Sequence, residues 1–127
     1  MMYMLETGLT YTATTTVTQE KSALSMGSGS LMVFATPALV ALMENAAMMS
    51  VATLLPEGST TVGGAISIQH TRPSGIGEEV TATARLIAIE GRKLYFNLVA
   101  NDSSGVIGEG THVRFIVDAA RFMQKVK

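Results

Sequence analysis

The sequence predicts an α+β domain in which an antiparallel sheet wraps around one long central helix. The stretch Pro37–Leu54 is apolar on nearly every side and follows a helix-start signal, which predicts a buried helix. Four strand-like segments joined by short turns follow it, and consecutive hairpins imply an antiparallel sheet. Because one face of a sheet cannot cover such a helix, the sheet must curl around it or a second subunit must cover the rest.

A strand and a glycine-rich connection precede the predicted helix. Apolar and threonine residues alternate over Thr10–Thr18, which predicts a strand, and the glycine- and serine-rich stretch Lys21–Ser30 predicts a connection. Thr36 is the predicted N-cap of the helix, with Pro37 in its first turn. The remaining predicted elements are four strands and a closing helix: Gly64–Arg72, Glu79–Glu90, Lys93–Asn101, Val106–Asp118 and Ala119–Val126.

Composition narrows the function classes. With 127 residues and no long linker, we expect a single domain over residues 1–127. A formal net charge of −1 gives no electrostatic footprint for nucleic acid. The absence of cysteine excludes disulfides and a cysteine nucleophile, and with only two histidines we expect no metal site and no cofactor. Polar residues such as Glu44 within the apolar helix argue against a membrane span, so we expect a cytoplasmic protein.

An acid and an imidazole are the first candidates for chemistry. Glu44 lies in the middle of the predicted buried helix, where a carboxylate is costly unless it is paired, neutralised or used. With a period of two, His70 shares the inward face of its strand with Ile66 and Ile68. Taken singly, His70 is better explained as a core histidine and Glu44 as a member of a structural ion pair. Together they are a candidate pair for acid–base catalysis.

Other residues could complete such a site. Thr36, two turns before Glu44, could face a cavity at the helix N-terminus as well as cap the helix. Gly63 and Gly64 would let backbone N–H groups approach a ligand, or would form a bulge before the strand. His112 and Arg114 share a strand face with two glycines, which could make room for a ligand or allow close subunit packing.

Three stretches carry a resemblance to a known family. They read VFATPALVALMENA (33–46), GGAISIQHTRPSGIGEEVTATARLIAIEGRKLYF (63–96) and IGEGTHVRFIVDAARFMQKV (107–126). On these motifs the chain resembles hotdog-fold proteins, and among them the fluoroacetyl-CoA thioesterase-like family. The resemblance places the catalytic threonine, glutamate and histidine of the family on Thr36, Glu44 and His70. It places the family's glycine beside the acyl group near Gly63 and Gly64, and its active-site arginine on Arg114.

The resemblance implies an acyl-CoA thioesterase acting on a short- or medium-chain substrate. It also implies a homodimer or a dimer of dimers, with each site built from both chains. A hotdog dehydratase or hydratase, or a non-catalytic acyl-CoA-binding protein, would fit the same residues. The fluoroacetyl-specific enzyme has an aromatic lid segment before the helix. Here the corresponding stretch, residues 26–33, lacks an aromatic ring, so we expect an open pocket and little preference for fluoroacetyl groups.

Overall fold

The computed structural model describes residues 5–127. This part of the chain contains five strands and three α-helices. A short 3-10 helix, Gln19–Lys21, precedes the first α-helix. In chain order the elements are β1 (Thr10–Thr16), α1 (Ala23–Met26), α2 (Thr36–Ala52), β2 (Ser59–His70), β3 (Glu79–Glu90), β4 (Lys93–Asp102), β5 (Gly105–Asp118) and α3 (Ala119–Met123).

The strands form one antiparallel sheet in the order β1-β3-β4-β5-β2. Strands β3, β4 and β5 are joined by tight hairpins, which explains why they are neighbours at its centre. β1 and β2 lie at the two edges, and β2 pairs only with β5 among the described residues. The predicted α+β class is confirmed, and β2 is left with a backbone edge that can accept another strand.

A bulge in β2 decides which of its residues face the helix. The register against β5 shifts between positions 63 and 65, which leaves Gly64 as the extra residue. The shift places Gly63, before the bulge, on the same face as Ile66 and His70 after it. Ile66 packs against the core, so the predicted inward orientation of this half of the strand is confirmed.

Helix α2 packs mainly on β3 and β1. Its core-facing residues, including Leu39, Met43 and Ala47, are completely buried. The expectation that the whole helix is buried is wrong for a single chain, because residues spaced four apart leave one stripe exposed. This α2 stripe consists of Pro37, Ala41, Asn45 and Met49.

Several element boundaries differ from the predicted ones. β2 begins at Ser59 rather than at position 64, because residues 59–63 already pair with the end of β5. The predicted connection contains α1, which Ser22 caps by accepting from the Ser25 amide. The closing helix ends at Met123 rather than at position 126, and Asp118 caps it by accepting from the Arg121 amide at 2.9 Å. Over residues 5–127, no helix is long and apolar enough to cross a bilayer.

Candidate active site

Thr36 and His70 form a hydrogen-bonded pair at the start of α2. The Thr36 Oγ1 and His70 Nδ1 atoms lie 2.8 Å apart. The prediction that Thr36 caps the helix is wrong: Ala35, in an extended conformation, occupies the N-cap position, and Thr36 is the first helical residue. The threonine hydroxyl is therefore available to the imidazole at the end of β2.

One ring nitrogen of His70 has no hydrogen-bond partner within the described part of the chain. Phe34 packs edge-on against the imidazole, with ring centroids 6.4 Å apart. The nitrogen without a partner in this part of the chain is Nε2, which is buried. Burial lowers the pKa of His70, while the backbone of Arg72 acts weakly in the opposite direction. The ring is therefore neutral near pH 7.

A cavity of about 290 Å³ lies against this pair. Its lining includes Thr36 and His70 on one side and Ser28 and Val33, from the segment before α2, on the other. Arg72 and Pro73, which follow β2, complete the rim. The cavity therefore meets the helix N-terminus, where unpaired amides and the helix dipole favour an anion or a polarised carbonyl.

Glu44 lies elsewhere on the same helix and has different neighbours. Eight residues of α-helix separate it from Thr36, a rise of about 12 Å. A methyl group added at Gly63 would lie 3.0 Å from Glu44 Oε2, 3.5 Å from Arg114 Nη1 and 3.6 Å from His112 Cε1. Three polar side chains therefore converge on the bare backbone of Gly63, and among residues 5–127 no hydrogen bond joins Glu44 to His70.

Arg114 is a buried cation on the helix-facing side of β5. It is only 6% exposed, and its guanidinium donates to the Thr61 hydroxyl at 2.8 Å and to the Thr61 carbonyl at 3.0 Å. Burial lowers the pKa of Arg114 and the nearby Glu44 carboxylate opposes this shift. An arginine side chain stays charged in proteins. Arg114 is therefore a buried cation that lies near the Glu44 carboxylate.

The sequence placed His112 beside Arg114 on one strand face but indicated no specific role for it. The imidazole is only 2% exposed and lies between Arg114 and the Ala65 carbonyl. The one available signal was the alternation of β5, which places His112 and Arg114 side by side on the inward face.

The glycines of this region have different roles. A Cβ at Gly64 would lie 2.4 Å from the ring of Phe115, so this glycine makes room for an aromatic side chain. A Cβ at Gly110 would lie 2.2 Å from the Ser67 carbonyl, and one at Gly108 would lie 3.1 Å from Leu39. Gly108 and Gly110 therefore allow close packing within the chain, and only Gly63 opens onto the polar cluster.

Residues 5–127 contain no group of three or more histidine, aspartate or glutamate side chains that could hold a metal ion. The polar groups form instead two separate clusters. The first is the Thr36–His70 pair at the start of α2, and the second, the Glu44 cluster, comprises Glu44, Arg114, His112 and Gly63.

Comparison with solved structures identifies the class of protein to which this chain belongs. A hot-dog-like protein from Thermanaerovibrio acidaminovorans superposes with a TM-score of 0.87 at 21% identity, over 96% of this chain and 90% of that one. A variant of the fluoroacetyl-CoA-specific thioesterase FlK, solved with fluoroacetate and CoA, gives a TM-score of 0.87 at 32% identity, over 93% of this chain and 99% of that one. The fold and these relatives define a thioester hydrolase of the hotdog class.

The family follows from the sequence matches. The model of the family described as fluoroacetyl-CoA-specific thioesterase matches residues 17–120. The fluoroacetyl-CoA thioesterase of Streptantibioticus cattleyicolor is 40% identical over 95 residues, which are 75% of this chain and 68% of that protein. The chain belongs to the fluoroacetyl-CoA-specific thioesterase family, as its motifs predicted.

Proposed function

We propose that this enzyme hydrolyses short- or medium-chain acyl-CoA thioesters to the free acid and CoA. The observation that carries this proposal is the Thr36–His70 hydrogen bond beside a cavity, with a second, unpartnered imidazole nitrogen. A neutral imidazole at a cavity can receive and deliver protons, and the adjacent helix terminus suits the developing negative charge on a thioester oxygen.

Glu44 promotes the attack on the thioester carbon in one of two ways. As a general base it removes a proton from water while the water oxygen attacks the thioester carbon. As a nucleophile it attacks that carbon itself, and water then hydrolyses the acyl-enzyme. In both routes the C–S bond breaks, the leaving sulfur ends as a thiol through proton exchange with His70, and one water is consumed. Arg114 and the bare backbone at Gly63 face this carboxylate, which in our proposal lies beside the acyl group.

The separation of the two clusters supports a site shared between two chains. Thr36 and Glu44 lie about 12 Å apart along one helix, too far to contact one carbonyl together. β2 has an edge without a neighbouring strand, and two such edges can pair antiparallel around a two-fold axis. That pairing runs the His70 end of one β2 beside the Gly63 half of the other. Each site then combines Thr36 and His70 of one chain with Glu44, Gly63 and Arg114 of the second copy.

The exposed stripe on α2 is consistent with a homodimer or a dimer of dimers. The stripe is the part of the helix that one sheet leaves bare, and a second copy of the chain would cover it. An obligate interface of this kind buries well over about 1,000 Å². Light scattering at micromolar concentration tests this, and a monodisperse monomer would contradict it.

Product analysis with a panel of acyl-CoAs tests the function itself. Hydrolysis releases the CoA thiol and the free acid, whereas a hydratase or dehydratase changes the acyl chain and leaves the thioester intact. A non-catalytic binding protein yields neither product but still binds acyl-CoA by calorimetry. The proposal requires free thiol and free acid in equal amounts from at least one short- or medium-chain substrate.

A further inference from the structure

The second histidine, His112, makes two hydrogen bonds that define its protonation state. Its Nδ1 lies 2.6 Å from the Ala65 carbonyl oxygen, and its Nε2 lies 3.2 Å from Arg114 Nη1. A carbonyl only accepts, so Nδ1 must carry the proton. A guanidinium only donates, so Nε2 must offer its lone pair. The ring is therefore the neutral tautomer with the proton on Nδ1.

The surroundings of His112 keep the ring in this state. The charged groups facing it are Glu44 from α2 and Arg114 from its own strand. From β4 the Phe96 ring packs against it, and β2 contributes the Ala65 carbonyl. Burial lowers the pKa of His112 and Arg114 lowers it further, while the Ala65 carbonyl and Glu44 oppose these shifts. A second proton on Nε2 would also point at an N–H group of Arg114.

The orientation of Arg114 depends on this acceptor. Thr61 binds the Nε and Nη2 atoms of the guanidinium, and His112 binds Nη1. Nη1 is the atom that, with Glu44 Oε2, converges on Gly63. Removing the acceptor would leave a buried N–H of Arg114 without a partner, and the group would turn to find another.

We infer that His112 is a positioning residue, which by accepting from Arg114 Nη1 holds the guanidinium in place facing Glu44 and Gly63. This inference rests on the proposed function, because it assigns Arg114 and Glu44 to the hydrolytic site. Its effect is on turnover, since displacing a group at the reacting centre by about 1 Å can cost on the order of a hundredfold in rate.

Two substitutions separate positioning from packing. Leucine at position 112 fills much of the volume but has no acceptor, whereas glutamine offers one donor and one acceptor at nearly the spacing of the ring nitrogens. We expect His112→Leu to lower kcat by roughly ten- to a hundredfold with little change in KM, and His112→Gln to recover most of that loss. Equal loss in both variants, or none in His112→Leu, would overturn the inference.

A double-mutant cycle tests whether His112 acts through Arg114. If it does, His112→Leu in the background of Arg114→Met lowers kcat no further than Arg114→Met alone. Losses that multiply would show that the two side chains act separately. Thermal melts of each variant show whether the substituted proteins fold.

The histidine NMR spectrum gives a readout that needs neither activity nor a substitution at His112. The chain contains two histidines, so ¹⁵N-histidine labelling of wild type and of His70→Ala assigns both rings. We expect His112 to show the Nδ1–H tautomer and to have a pKa below the ordinary histidine value of about 6.5. A ring with its proton on Nε2, or one that titrates normally, overturns the inference. Absence of hydrolysis by wild type would overturn the proposed function, and the spectrum would still decide the hydrogen bond.

Discussion

The two histidines of this chain differ in their hydrogen bonds as well as in their burial. His70 is partly buried and His112 is fully buried, and burial lowers the pKa of each. His112 has partners on both ring nitrogens, so it cannot exchange a proton without breaking a bond. His70 has a partner on Nδ1 only, and its Nε2 is unpartnered among the described residues. This difference is why we propose proton transfer for His70 and positioning for His112.

Replacing His70 should lower turnover more than ligand binding. We expect His70→Ala to reduce kcat by on the order of 10² or more while calorimetry shows acyl-CoA still bound. Because the neutral imidazole is the active form and burial lowers its pKa, wild-type kcat/KM should fall only when the pH drops below about 6.5. Gln69→Ala, on the outward face of the same strand, is the matched control. Unchanged hydrolysis in His70→Ala would show that His70 is a structural core histidine and takes no part in turnover.

The two adjacent glycines should respond differently to the same substitution. Gly63→Ala places a methyl group 3.0 Å from Glu44 Oε2, so we expect lower turnover with a nearly unchanged melting temperature. Gly64→Ala forces Phe115 to move, so we expect a lower melting temperature. Thiol-release kinetics and thermal melts of both variants check this. Equal effects of the two substitutions on kcat would contradict the role given to Gly63.

At the scale of elements, the bulge in β2 and the first turn of α2 build the site. The bulge at Gly64 places Gly63 and His70 on one face although they are an odd number of residues apart. The extended conformation of Ala35 moves the start of α2 so that Thr36 reaches His70 instead of capping. The glycine pair predicted a bulge as one alternative, but which glycine is the extra residue, and where the helix starts, depend on the backbone conformation of single residues.

The segment between α1 and α2 sets the expected substrate range. Ser28 and Val33 of this segment line the cavity, and the segment has no aromatic ring until Phe34. A lid excludes water and helps to select one small acyl group, and an open mouth selects less. We expect little preference for fluoroacetyl-CoA over acetyl-CoA and activity on butyryl- or phenylacetyl-CoA. A preference for fluoroacetyl-CoA above about a hundredfold in kcat/KM would refute this expectation.

At the scale of the whole molecule, the sequence identified the fold class and most of the polar residues. Helix periodicity, hairpin turns and strand alternation act locally, so the central helix, β3, β4 and the inward position of His70 were all predictable. The pairing of the side chains was not predictable. Glu44 lies with His112 and Arg114 rather than with His70, because that arrangement depends on how α2 lies across the sheet.

Mixing two inactive variants tests whether sites are shared between chains. If His70 of one chain works with Glu44 of the other, a heterodimer of His70→Ala and Glu44→Gln contains one site with both residues intact. We therefore expect co-refolded mixtures to regain up to about a quarter of wild-type activity, since half of the dimers are mixed and each has one complete site. Each variant refolded alone is the control. No recovery, with mixed dimers present by mass spectrometry, would place both residues of a site in one chain.

The most direct test of the account is the rate of thiol release from acyl-CoA by wild type and by Glu44→Gln. Glutamine fills the volume of the carboxylate but can neither take a proton from water nor attack the thioester effectively. The account predicts a loss on the order of 10² to 10⁴ in kcat with an unchanged melting temperature. Glu109→Gln, at an exposed position of β5, should behave as wild type. A folded Glu44→Gln protein that retains wild-type turnover would contradict the account.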